Sequence, residues 1–110
     1  MFAFSDTRRN VTHFVGETVH LQCGDEKTLN GPANWMYSSP LDADIHLIIY
    51  SGYLVSDNRG DRLSVSGNTL IISIVQINDS GVYMCYEQST ETKRPPQHRV
   101  VLTVLGKFCE

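Results

Sequence analysis

Asp79-Ser80-Gly81-Val82-Tyr83-Met84-Cys85 is the stretch whose reading decides the fold. Asn78-Asp79-Ser80-Gly81 is a run of turn residues, and Val82 to Gln88 reads as a strand leaving that corner. Outward from it, Thr18 to Cys23 alternates cleanly: Val19, Leu21 and Cys23 share one face, and Thr18, His20 and Gln22 the other. Ala33 to Ser38 is a further strand, with Trp35 twelve positions after Cys23. His46 to Tyr50 is apolar at both parities, the pattern of a strand covered on both faces. Short strands follow at Tyr53-Leu54-Val55 and Leu63-Ser64-Val65. Gly67-Asn68 marks a hairpin, and Thr69 to Ile74 is expected to turn Leu70, Ile72 and Ile74 inward. Arg99 to Leu105 is the last strand, after a polar loop holding Pro95-Pro96 and His98. Helical periodicity is missing throughout, so the chain reads as all-β, a two-sheet sandwich or a barrel of short strands.

Composition agrees with one folded domain. The chain has 110 residues, 41% hydrophobic and 19% charged, which is neither a disordered nor a membrane-spanning composition. Nine basic against twelve acidic residues leave a formal charge of −3, so nucleic acid is not an expected partner. Met1 to Phe4 is too short for a secretory signal, so any targeting or anchoring segment is expected to lie outside this sequence. Cys23, Cys85 and Cys109 include no close pair, and the four histidines have no ligand spacing, so no metal or cofactor is expected. One long-range disulfide plus one spare thiol is the simpler reading, and it points to an oxidising, extracellular setting. Asn10-Val11-Thr12 and Asn78-Asp79-Ser80 are N-glycosylation sequons consistent with that setting.

Taken together, Cys23, Trp35 and the Asp-Ser-Gly-x-Tyr-x-Cys run ending at Cys85 resemble an immunoglobulin domain over Val11 to Leu105. The resemblance implies a Greek-key sandwich whose sheets are joined by a Cys23–Cys85 bridge, with Trp35 packed on it and Tyr83 as the tyrosine corner. The variable (V) subtype is the better match. An extra segment separates the Trp35 and Leu63 strands, and Leu47-Ile48-Ile49-Tyr50-Ser51-Gly52 resembles the C′ strand and following turn of light chains. Arg62 and Asp79 stand where such domains carry an ion pair, and Val100 to Gly106 resembles a lambda joining segment. Two departures set the chain apart from antigen receptors: Arg94-Pro95-Pro96-Gln97-His98 stands in place of the Phe-Gly-x-Gly bulge, and Ser38 replaces the glutamine that bridges paired V domains. The domain is expected to span residues 1–106, with 107–110 as a tail or the start of a stalk.

No nucleophile, phosphate-loop or paired-carboxylate motif is present, and the chain does not read as an enzyme. His20 reads as a solvent-facing strand residue and His98 as an exposed loop residue. Arg59-Gly60-Asp61 has the form of an integrin-recognition tripeptide, but it runs straight into the strand that uses Arg62. Parity assigns Trp35, Tyr83, Leu21, Leu70, Ile72, Leu102 and Val104 to the core, and Met36, Tyr50, Met84, Tyr86 and Val101 to the outside. In a V-type fold these last five lie together on the GFCC′ sheet. An apolar outer face is the footprint of a protein partner or of a second copy. The expected function is that of an extracellular V-type domain of an immune-type cell-surface receptor. A homophilic adhesion module is the alternative, and a secreted glycan-binding module is a more distant one. Cys109, past the last strand, is a candidate interchain bridge. Such a bridge predicts a dimer band on non-reducing electrophoresis that Cys109→Ser removes; a chain that stays monomeric with Cys109 intact carries a free thiol instead.

Overall fold

The computed structural model describes residues 7–23, 33–40, 42–50, 53–55, 60–87 and 97–106. Among them run nine strands: β1 (Thr7–Phe14), β2 (Val19–Gln22), β3 (Ala33–Ser39), β4 (Asp42–Tyr50), β5 (Tyr53–Leu54), β6 (Leu63–Ser66), β7 (Thr69–Ile72), β8 (Gly81–Glu87) and β9 (Gln97–Leu105). They form a six-stranded sheet in the order β1-β9-β8-β3-β4-β5 and a three-stranded sheet in the order β2-β7-β6. Neighbours are antiparallel except β1 and β9, which run parallel over the whole of β1. Strand β1 has little apolar alternation. Only Val11 and Val15 pack on the core from this stretch, which is why sequence periodicity did not mark it.

The two sheets close on residues that share an inward parity. Val19 and Leu21 of β2, Leu70 and Ile72 of β7, Trp35 of β3, Tyr83 of β8 and Leu102 and Val104 of β9 are buried in one cluster. Cys23 and Cys85 are bonded across it with Cα atoms 5.8 Å apart and a sequence separation of 62. Closing a loop of that length contributes on the order of 4 kcal/mol in the chain-entropy model. The β6–β7 hairpin turns through Gly67-Asn68, with Ser66 opposite Thr69 and Gly67 at φ 58°, the conformation a II′ turn asks of its first central residue.

At one end of the sandwich Asp79 ties the layers together. Its carboxylate is 1% exposed and takes a two-pronged contact from Arg62, Nη1 to Oδ2 at 2.7 Å and Nη2 to Oδ1 at 3.2 Å. The Gln76 N–H donates to the same Oδ2 at 2.8 Å, and the Tyr83 hydroxyl donates to the Asp79 carbonyl at 2.6 Å. The Tyr37 hydroxyl donates to the Ser80 carbonyl at 2.7 Å, and its ring lies 4.7 Å from that of Tyr83. Ser80 Oγ accepts the Val104 N–H at 2.9 Å. Gly81 follows at φ 150°, with a hypothetical Cβ only 2.5 Å from the Ser38 carbonyl oxygen.

Three local expectations change. Strand β4 is not covered on both faces: Trp35 pairs with Ile49 but Met36 with Leu47, so a β-bulge turns Ile48 and Ile49 both into the core and leaves Leu47 outside. Ile74 does not continue the inward series of β7. The strand ends at Ile72, Ile74 takes φ 50° and is exposed, and Val75 fills the core instead. His98 is not a loop residue. It lies within β9 opposite Cys85 and is buried, because β8 runs far enough to offer it a partner.

Three substitutions test this arrangement. Arg62→Ala strands a buried carboxylate and should lower stability by about 3 kcal/mol in denaturant titration. Gly81→Ala should cost about 2–3 kcal/mol because the backbone oxygen of Ser38 cannot yield, whereas Gly67→Ala, with open space around it, should cost only about 1 kcal/mol. Equal losses at the two glycines would contradict the close approach at Gly81.

Candidate functional site

The outer face of the six-stranded sheet collects the candidate residues, and its register orders them. One cross-strand row reads Arg8, Arg99, Met84, Met36, Leu47 from β1 to β4. The adjacent row reads Asn10, Val101, Val82, Ser38, Ile45. Toward the other end of the strands Tyr86 stands opposite Asn34, and Tyr50 opposite Tyr53. Residues directly opposite in a ladder point to the same side, so each row is a line of neighbouring side chains.

Burial along these rows is uneven. Met36, Tyr86, Val82 and Val101 are half-buried on the face, and Tyr50 is 50% exposed. Met84 departs from its expected role on an open patch: it is 7% exposed yet lies outside the core cluster, packed on the outer side between Met36 and Arg99. It supports the face from below. The sequence reading missed three members, Ile45 at 57%, Leu47 at 37% and Tyr53 at 78% exposed. The bulge at Ile48 hid the first two, since strict alternation through Ile48 and Ile49 gives the wrong parity on one side of it. A two-residue strand is too short to show a period, which hid Tyr53.

The face is therefore divided. On β3, β4 and β5 it presents Met36, Ile45, Leu47, Tyr50 and Tyr53, a concentration of apolar and aromatic groups. On β1 and β9 it presents Arg8, Arg99, Asn10, Thr12 and Thr103, with Val101 and, at the far end, Phe14 opposite Leu105. Ser38, between Val82 and Ile45, is the one small polar side chain at the centre of its row.

Other candidates lie elsewhere. Asn78 is exposed on the rim of an open recess of about 620 Å³ at the Asp79 end, lined by Val15, Pro40, Ile77 and neighbours. Its own carbonyl accepts from the Tyr37 hydroxyl at 3.3 Å. Gly60 and Asp61 form a short 3-10 turn with Arg62, while Arg59 lies outside the described residues, as does Cys109. His20 is exposed on β2. Among the described residues no three His, Cys, Asp or Glu side chains come together as metal ligands, and no helix is long and apolar enough to cross a membrane.

Comparison with known proteins agrees with this geometry. The model of the immunoglobulin V-set domain matches residues 6–105. An Ig kappa chain V region (3368) of Oryctolagus cuniculus is 29% identical over 87 residues, covering 76% of this chain and 78% of that protein. Among solved structures, the N-terminal four Ig domains of Dscam1 isoform 6.9 superpose with a TM-score of 0.68 at 18% identity, over 90% of this chain and 23% of that one. The N-terminal eight Ig domains of Down Syndrome Cell Adhesion Molecule isoform 1.30.30 also give 0.68, at 21% identity, over 88% of this chain and 11% of that one. At these identities the two structures share the fold, and the chain spans only a small part of each.

The division between face and core makes a stability prediction. Tyr50→Ala and Tyr53→Ala should each change unfolding free energy by less than about 0.5 kcal/mol, as surface substitutions do. Trp35→Ala should cost about 3–5 kcal/mol by emptying the space beside the disulfide. A large loss at Tyr53 would mean that its ring packs on the fold.

Proposed function

The chain belongs to the immunoglobulin V-set family, and on that premise we propose that it is the extracellular recognition domain of an immune-type cell-surface receptor, binding protein through the outer face of its six-stranded sheet. Strands β9, β8, β3 and β4 are the G, F, C and C′ strands of that family. The observation that carries the reading is the apolar group Met36, Ile45, Leu47, Tyr50 and Tyr53 on a sheet face over which no other described element packs. A water-facing antiparallel sheet ordinarily alternates to polar residues on that side. Tyrosine and methionine are enriched at the centres of protein interfaces, and methionine adapts to an imperfect partner surface.

A second copy is the partner the chemistry favours. The group has no formal charge to match against a charged ligand, and a two-fold contact would cover each copy's group with the same group. With the short Ser38 in place of the bridging glutamine, that side-chain bridge is lost, and the crossing angle differs from that of antibody variable domains.

Met84 is too deeply seated to test the face without disturbing the sheet, so Leu47 is the better probe. Leu47→Arg keeps the long stem but brings a charge into the contact on both copies, since an isologous interface feels each substitution twice. It should raise the dimer dissociation constant in sedimentation analysis roughly 100-fold, about 1.4 kcal/mol per copy. The parent's melting temperature should be retained. A parent that is monomeric at its highest soluble concentration overturns self-pairing; a dimer indifferent to Leu47→Arg overturns this face. Cells displaying the domain should aggregate with one another only if the pairing joins copies on opposed membranes.

A further inference from the structure

We propose that Asn10 carries an N-linked glycan that closes the β1–β9 half of the outer face and confines protein contact to the β3–β4–β5 half. The proposal rests on the reading of the chain as an extracellular domain that binds through this sheet. Asn10 is the acceptor of the Asn10-Val11-Thr12 sequon, and the fold puts both of its polar members on the outer face. Val11 turns inward onto the core, while Asn10 and Thr12 on either side of it are exposed.

Register decides what the glycan would cover. Asn10 stands directly beside Val101, Thr12 beside Thr103 and Arg8 beside Arg99. Along its row the order is Val101, Val82, Ser38 and then Ile45. At about 4.8 Å per strand, Val101 is one spacing from Asn10 and Ile45 is four, roughly 19 Å away. The first sugar would be bonded to Asn10 Nδ2, one strand spacing from Val101, the one apolar side chain in the middle of the polar half. The exposed apolar residues Ile45, Leu47, Tyr50 and Tyr53 lie at the opposite margin, and on the β1–β9 half only Phe14 and Leu105, at its far end, are comparably exposed among the described apolar residues of this face. Sequence composition and sugar position thus draw the same boundary across the sheet. Strand β1 is also an edge strand, and a bulky group on it discourages edge-to-edge pairing.

The chemistry requires a lipid-linked pyrophosphoryl oligosaccharide as donor. Asn10 Nδ2 bonds to the anomeric carbon, the bond from that carbon to the pyrophosphate oxygen breaks, the amide gives up one proton, and the lipid pyrophosphate departs. No oxidation or reduction is involved. Asn78 supplies an internal control. Its sequon lies at the recess by Pro40 and Ile77, with Asp79 buried between Asn78 and a Ser80 hydroxyl engaged by the Val104 N–H. A sugar there would stand at the end of the sandwich and leave the sheet face bare.

The test is to secrete the full chain from cultured mammalian cells and map its peptides before and after a glycoamidase, which converts a glycosylated Asn to Asp. Hydroxyl-radical footprinting is then compared between the intact and sugar-free proteins. The expected result is occupancy of Asn10 and a loss of labelling at Val101 when the sugar is present. Labelling of Leu47, Tyr50 and Tyr53 should be the same in both forms. Thr12→Ala should abolish the modification and restore Val101 labelling, and Asn10→Gln should reproduce this if Thr12→Ala folds poorly. An unmodified Asn10, or shading that reaches Leu47 and Tyr50, overturns the proposal. The footprint needs no partner, so its outcome is separate from that of Leu47→Arg: a glycan shading Val101 beside a dimer insensitive to Leu47→Arg would sink the binding face and leave the glycan assignment standing.

Discussion

The buried carboxylate of Asp79 is the constraint around which the end of this sandwich is arranged. An ionised side chain that is 1% exposed is tolerated only when paired and hydrogen-bonded, and here every demand is met from a different element. Arg62 comes from the turn that enters β6 and Gln76 from the crossing after β7, while the Tyr83 hydroxyl of β8 donates to the backbone carbonyl of the same residue. Arg62 also donates to the Ile74 carbonyl at 3.3 Å, which holds the backbone where Ile74 sits at φ 50°. That conformation is unfavourable for a β-branched residue. It reverses the alternation of β7 and delivers Val75 to the core. With the corner held this way, Gly81 can pass against the Ser38 carbonyl and β8 starts in register with both β3 and β9.

That register has a consequence at the surface. Pairing Trp35 with Cys85 and with Ile49 sets one parity for the whole centre of the large sheet, and the residues between them must face outward. The bulge at Ile48 then allows β4 to give two consecutive isoleucines to the core and still keep Ile45 and Leu47 outside. The result is a face whose apolar character is concentrated toward β4 and β5 and whose polar character lies toward β1 and β9. The protein-binding role and the glycan boundary proposed above both follow from that gradient.

The pairing of β1 matters for the same reason. Its eight residues all run beside β9, so β2 is left without a hydrogen-bonded neighbour on one side among the described residues. Arg9, at an inward position, reaches across the margin of the sandwich and donates to the Gln22 carbonyl at 2.6 Å. A charged side chain covering an open backbone group is one way a sheet edge is kept from pairing with another chain.

Much of the interior was legible in the sequence because a period of two is unambiguous where one face is buried. Val19, Leu21 and Cys23 could be assigned together, as could Leu70 and Ile72, or Leu102 and Val104. The motif from Asp79 to Cys85 carried the rest, since the family resemblance implied the bridge to Cys23, the Tyr83 hydroxyl bond and the Arg62 pairing. The outer face was legible only in part. Met36, Tyr86, Val101 and Tyr50 follow from parity, but parity says which way a side chain points and not what covers it, so Met84 was placed in the open when its neighbours bury it. Ile45, Leu47 and Tyr53 needed the tertiary structure. A bulge is one extra residue that only the partner strand reveals, and a two-residue strand has no period of its own. That Asn10 stands beside Val101 was likewise decided by the parallel pairing of β1 with β9, a contact between the two ends of the chain that no local pattern encodes.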